Sequence, residues 1–107
     1  MPDKYHLSEI QPRPMMPGGQ VRLIHSQTMT LAYWEFEANT PLPEHSHPHE
    51  QVFNLLEGRF ELTIDRKSQQ YEAGAVVIIP GNARHSAKAI TACRVLDVFH
   101  PVRADLK

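Results

Sequence analysis

The chain has 107 residues, 41% of them apolar, with 11 basic against 12 acidic side chains and a formal net charge of -1 at pH 7. That length holds one hydrophobic core and not two, and the balanced charge offers no footprint for nucleic acid or an anionic membrane surface. A single cysteine, Cys93, excludes an internal disulfide framework and fits a reducing compartment.

In chain order, residues 1–20, ending in RPMMPGG, read as an irregular lead-in, and 21–107 as one β-rich domain. The opening MPDKYHLSEI lacks the apolar h-region of a secretory signal, and no run approaches the roughly 20 apolar residues of a membrane span. A cytoplasmic protein with no membrane and no nucleic-acid partner is therefore expected. VRLIHS (21–26) and TLAYWEFE (30–37) read as strands joined by a hairpin connection at 26–28. NTPLPEHSHPHE (39–50) reads as a proline-broken loop feeding the strand QVFNLLEG (51–58), with RFELTID (59–65) its antiparallel neighbour across Gly58. RKSQ (66–69) is a polar turn, AVVIIP (75–80) an apolar strand ended by Pro80, ARHSAKA (83–89) a short strand and CRVLDVFH (93–100) the last one. Nine prolines and five glycines punctuate these runs, and such spacing predicts an all-β sandwich or barrel. No internal repeat or heptad suggests anything further.

Three of the chain's seven histidines fall on alternating positions, His45, His47 and His49, just before an apolar run. Imidazoles at i and i+2 of an extended chain share a face about 7 Å apart, and a bend at Pro48 would let two of them share an ion. Taken alone, the same pattern also describes a solvated surface cluster.

Spacing strengthens the metal reading. Three residues separate His47 from Gln51 and six separate Gln51 from Gly58; further on, Gly74, Pro80, Asn82 and His85 stand five, one and two residues apart. This arrangement resembles the two motifs of the cupin superfamily, separated by residues 59–73. The resemblance implies a jelly-roll barrel, the cupin double-stranded β-helix, and one divalent transition metal per chain, held by His45, His47, Gln51 and His85. Asn39 and Asn82 replace motif glycines, and asparagine tolerates positive φ better than other non-glycine residues. Ala89 replaces an asparagine. Gln51 replaces a glutamate, so four neutral ligands would leave the ion its full charge and favour Lewis-acid chemistry over redox chemistry. Glu50 is a competing ligand one residue out of register with the inner face. His49 is either a contact for substrate or ligands, or a solvated side chain.

Alternation in LDVFHPVRADLK places Asp97 and Phe99 on one face of the final strand, where a buried acid needs a partner or a purpose. An Asp97–Arg103 ion pair that fastens the tail is one reading. The other has Asp97 exchanging protons while the planar fork of Arg103 clamps a substrate carboxylate.

HSHPHEQ, LEGRFELTID, EAGAVVIIPGNARH and DVFHPVRADL together resemble the KdgF-like pectin degradation proteins over residues 21–106. That resemblance implies ring opening and tautomerisation of 4,5-unsaturated uronate monosaccharides from pectin or alginate to the linear ketonised form. It assigns the metal to His45, His47, Gln51 and His85, and catalytic roles to Asp97, Phe99 and Arg103. His100 departs from the small hydroxyl residue expected there. The implied partner is a small anionic sugar, and edge-strand pairing to a homodimer is expected by the same resemblance. Nickel, zinc, iron, cobalt and manganese all suit three imidazoles and an amide oxygen. A cupin dioxygenase or isomerase of another substrate and a non-catalytic ligand-binding cupin are the alternatives. Cys93, Trp34, Tyr33 and Phe36 read as core or interface residues, Glu35 and Glu37 as a solvated face, and His6 and His25 as surface residues without partners.

Overall fold

The fold follows from which side of each strand is apolar. In the computed structural model, which describes residues 2–107, the last strand buries Cys93, Val95, Asp97 and Phe99 and exposes or half-exposes the residues between. The central strand Glu50–Glu57 does the same with Gln51, Phe53 and Leu55. Such period-two burial is what a strand with one face on a core produces. Ten strands result: β1 (Arg13–Met16), β2 (Gly19–His25), β3 (Thr30–Phe36), β4 (Pro41–His45), β5 (Glu50–Glu57), β6 (Arg59–Ile64), β7 (Lys67–Glu72), β8 (Val76–Ile79), β9 (His85–Ala89) and β10 (Cys93–His100). Two 3-10 turns, Leu7–Glu9 and Ala104–Leu106, flank them.

The strands form two antiparallel sheets, β1-β2-β3-β10-β5-β8 and β4-β9-β6-β7, that face each other as a jelly roll. Phe36, Phe53, Leu55, Phe60, Leu62, Ile79 and Val95 fill one end of the space between them. Phe53 and Phe60 lie 5.0 Å apart between ring centroids and Phe36 and Phe60 5.7 Å, and each ring so buried contributes about 1.5–3 kcal/mol. Four of the six buried polar residues among those described, His47, Gln51, His85 and Asp97, gather toward the other end. The barrel thus has an apolar plug and a polar mouth.

Three segments differ from the sequence expectation. β1 and the start of β2 lie within residues 1–20, β4 within the proline-broken loop, and β7 begins at Lys67, where the sequence predicts a polar turn. All three of β1, β4 and β7 are edge strands. An edge strand needs no donor on its open side, so it tolerates Pro14, Pro41 and Pro43, and its exposed faces accept the polar run KSQQYE. The β6–β7 turn is the two-residue Asp65-Arg66, both at positive φ (49° and 70°). No helix among the described residues is long and apolar enough to cross a membrane.

Candidate metal centre

Asn82 and Gly81 shape the mouth of the barrel, while Asn39 turns the chain at the far end of β4, where its backbone N–H donates to the Ala89 carbonyl. Asn39 and Asn82 adopt φ of 66° and 67°, the left-handed conformation their sequence positions required. The amide of Asn82 donates to the carbonyl of His47 at 2.7 Å, tying the loop after β4 to the loop before β9. Gly81 packs against the same loop so closely that a Cβ there would strike the Pro48 carbonyl oxygen. These contacts bring together side chains from opposite halves of the chain.

His45 ends β4 and His85 begins β9, directly opposite in register, with ring centroids 4.2 Å apart. His47 joins them from the loop, 5.1 Å from His85 and 5.8 Å from His45. The three offer ligand nitrogens that all lie within 4.8 Å of one another. Each Nδ1 faces a backbone carbonyl: His45 that of Pro43 at 2.9 Å, His47 that of His49 at 3.0 Å, His85 that of Ala83 at 2.9 Å. A carbonyl can only accept, so the ring proton sits on Nδ1 and each Nε2 presents a lone pair to the centre. That is the tautomer a metal ligand needs.

Gln51, the first inward residue of β5, places Oε1 3.1 Å from His47 Nε2. With the proton of His47 on Nδ1, two lone-pair atoms face each other at hydrogen-bond distance without a hydrogen between them. A shared cation resolves that repulsion, because adjacent ligands on an ion bound at about 2.1 Å are separated by about 3 Å. Nε2 of His85 is likewise buried without a partner. Burial holds His47 well below its usual value, to about 4, helped by the nearby Arg103 charge, and burial also lowers His85. Both rings are therefore neutral and ready to ligate at physiological pH. The residues present fit a divalent transition metal on three imidazoles and an amide oxygen. Glu50 is exposed and outside the cluster, as its register required.

Asp97 lies on the inner face of β10, level with Phe53 on β5 and Ala32 on β3. Desolvation pushes its carboxyl up to about 7, against smaller lowering effects from Gln51, Arg103 and Trp34. Neither donor is aligned well enough to satisfy it fully: Asp97 Oδ1 and Trp34 Nε1 are both buried with no hydrogen-bond partner. Gln51 is suited to this position because an amide can offer oxygen on one side and N–H on the other. A glutamate there would set carboxylate against carboxylate.

Arg103 does not pair with Asp97. Its Nε and Nη2 donate to Asp105 at 3.1 and 2.7 Å, two residues along the chain, where a local fork is easily closed. The Arg103 backbone N–H donates to the buried Thr30 hydroxyl at 2.8 Å, which also meets His25 Nδ1 at 2.9 Å, so His25 has a partner after all. The guanidinium sits 4.8 Å above the Phe99 ring, and Phe99 meets His47 edge-on at 5.5 Å. A continuous stack thus runs from Arg103 to the histidines.

These groups open on a cavity of about 190 Å³, lined by His45, Gln51, His85, Asp97, Phe99 and Arg103 on its polar side. Trp34, Met15, Met16 and Leu106 share the rest of the wall with core residues such as Phe53, Phe60 and Leu62. The sequence reading left these four out of the site, although Trp34 shares strand parity with the buried Ala32 and Phe36. His49 serves through its carbonyl, which fixes the His47 tautomer, while its own Nδ1 is buried and unpartnered. His100 is exposed on the opposite face from Phe99, so its departure from the expected residue leaves the cavity untouched. Cys93 is buried beside the core, its thiol pushed up by burial and donating to the Arg59 carbonyl at 3.0 Å.

Residues 32–99 match the family model described as the cupin domain. An uncharacterized protein of Streptomyces coelicolor is 25% identical over 91% of this chain and 94% of its own length. The structure of KdgF from Halomonas sp. superimposes with a TM-score of 0.93 at 22% identity, covering all of both chains. Bacillus subtilis oxalate decarboxylase, described with Mn(II) centres, matches 91% of this chain over 29% of its own, with a TM-score of 0.82 and 17% identity. Matched across most of its length, with ten strands in two facing sheets and a histidine cluster at the mouth, the chain belongs to the cupin family.

Proposed function

We propose that this cupin converts 4,5-unsaturated uronate monosaccharides, the products of pectin or alginate lyases, to their linear ketonised form. One observation carries the reading: a buried carboxyl, Asp97, and a guanidinium, Arg103, line the same small cavity as Gln51 and two members of the histidine cluster, His45 and His85. A cavity of that size suits one monosaccharide and not a polymer. Its fold likeness to KdgF from Halomonas sp. agrees with the proposal.

The residues divide the work. His45, His47, His85 and Gln51 would hold a divalent metal, which when bound supplies Lewis-acid stabilisation of charge developing on sugar oxygens. Arg103, pre-set over Phe99, faces the substrate carboxylate and orients the ring. Asp97 removes the proton of the anomeric hydroxyl as the ring opens and returns one to carbon as the enol becomes a ketone. A carboxyl held near 7 by burial can both accept and give a proton at working pH. Phe99 closes the floor and keeps bulk water from the reacting carbons.

The test is to add purified protein to freshly generated 4,5-unsaturated galacturonate and follow the linear product by NMR against the spontaneous reaction. Acceleration without oxygen uptake supports the proposal; a rate equal to the control ends it. Asp97→Asn should abolish the acceleration with metal content unchanged, whereas joint loss of metal and activity would make Asp97 a structural residue.

A further inference from the structure

The cavity occupies the inner face of the six-stranded sheet, and the outer face of the same strands is apolar as well. Residues directly opposite in an antiparallel ladder lie on one side of the sheet. One row across it reads Ile24, Leu31, Val98, Val52 and Ile78, one residue each from β2, β3, β10, β5 and β8. The next reads Arg22, Tyr33, Leu96, Asn54 and Val76. All ten alternate with inner-face residues, so they point away from the barrel. Val76 and Ile78 are 61% and 64% exposed, and the other apolar members are half-buried.

The two polar members of this band are engaged within the chain. Asn54 Nδ2 donates to the carbonyls of Val52 and Leu96 at 3.2 and 3.1 Å. Arg22 donates to the Ile10 carbonyl at 3.1 Å and to Glu35 at 2.6 Å. At the border, Arg94 faces Glu57 at 3.9 Å. A surface whose donors and charges are matched in this way can leave water without stranding them.

Monomeric proteins rarely leave a continuous apolar face of this breadth in water. Five strands about 4.8 Å apart, over six residues of about 3.4 Å each, cover about 24 by 20 Å. Two such faces bring together about 1,000 Å² of footprint, which the accessible area of corrugated side chains exceeds, and that reaches the range of specific interfaces. Across a two-fold axis the face needs no surface but its own, apolar band on apolar band and charge-paired border on charge-paired border. Edge pairing does not achieve this: β8 zipped to a second β8 would lengthen the sheet and leave Val76 and Ile78 in water.

We infer that the outer face of β2, β3, β10, β5 and β8 is the interface of a two-fold dimer of this chain, packed face to face. A groove of about 390 Å³ at its border, walled by Leu7, Tyr33, Leu56 and Arg94, is room that the second copy fills. The metal centres lie on the inner faces and are untouched.

Sedimentation equilibrium of the full chain should give twice its 12.2 kDa mass. Leu31→Glu and Ile78→Glu each enter a two-fold interface twice and bury two unpaired charges, so the dissociation constant of the dimer should rise at least about 100-fold, with zinc content and all-β circular dichroism unchanged. Leu31 lies three strands from the β8 edge, so its variant separates face packing from edge pairing. In wild-type protein, NMR with a soluble paramagnetic agent should find the Ile78 methyls protected, although they are exposed on one chain, a reading that needs no variant to fold. A chain that stays at 12.2 kDa up to about 1 mM would overturn the dimer and leave the face to a different partner. A dimer that survives both substitutions, or one whose Ile78 methyls relax as fast as the exposed Met29 methyl, would overturn the face as its interface.

Discussion

Removing the Asp97 charge should make the metal-free protein more stable at alkaline pH, although the substitution disables the site. The carboxyl titrates at 3.8 in an unfolded chain and at about 7 in the folded one, raised chiefly by desolvation. Between those values the folded state holds a proton that the unfolded state has released, so stability falls as pH rises through the window and is level above it. A gap of about three pH units at about 1.4 kcal/mol each makes the loss about 4 kcal/mol at most. An asparagine side chain cannot ionise, so in the Asp97→Asn variant this loss disappears. The neutral rings of His47 and His85 act in the opposite sense, destabilising the fold as pH drops from 6.5, for His47 down to about 4. Both are present in wild type and Asp97→Asn and cancel in the difference. The assay is urea denaturation of chelator-treated wild type and variant at intervals from pH 4.5 to 8.5. The stability difference should move by several kcal/mol in favour of the variant between pH 4.5 and 7.5 and then level off. Parallel curves across that range would show that Asp97 is not held protonated by burial, and the case for its proton exchange would lose its physical basis.

Three other outcomes are expected. His85→Ala should lower zinc affinity at least 100-fold by calorimetry while circular dichroism stays all-β, because His85 sits at the mouth and not in the apolar plug. Gln51→Glu should retain metal by elemental analysis yet lose most activity, since a second carboxylate beside Asp97 displaces the amide N–H it now faces. Asp105→Asn should raise KM severalfold with kcat nearly unchanged, as the fork that holds Arg103 over Phe99 is loosened outside the reacting centre; a change in kcat alone would count against Asp105 acting through Arg103.

Much of the barrel was legible because its long strands carry their burial in their own sequence. Gln51, Phe53 and Leu55, and Val95, Asp97 and Phe99, alternate inward in β5 and β10 as their residue types required. The edge strands were not legible. β1, β4 and β7 have no continuous apolar face, and their prolines and polar runs are those of loops; they become strands only because a neighbour's ladder recruits them.

At the site the division is similar. Motif spacing picked out His45, His47, Gln51 and His85, since each falls at a fixed distance from a turn residue such as Asn39 or Asn82, and turn chemistry is local. Tautomers, neighbours and depth were decided elsewhere. The carbonyls of Pro43, His49 and Ala83 set each ring's proton, Asp105 and not Asp97 took the fork of Arg103, and Trp34 came to the cavity wall through a ladder with a strand about 60 residues away. Local sequence fixes which way a side chain points along its own strand. Only the closing of two sheets over one another fixes what it meets there, because that depends on register between segments whose order in the chain says nothing of their distance in space.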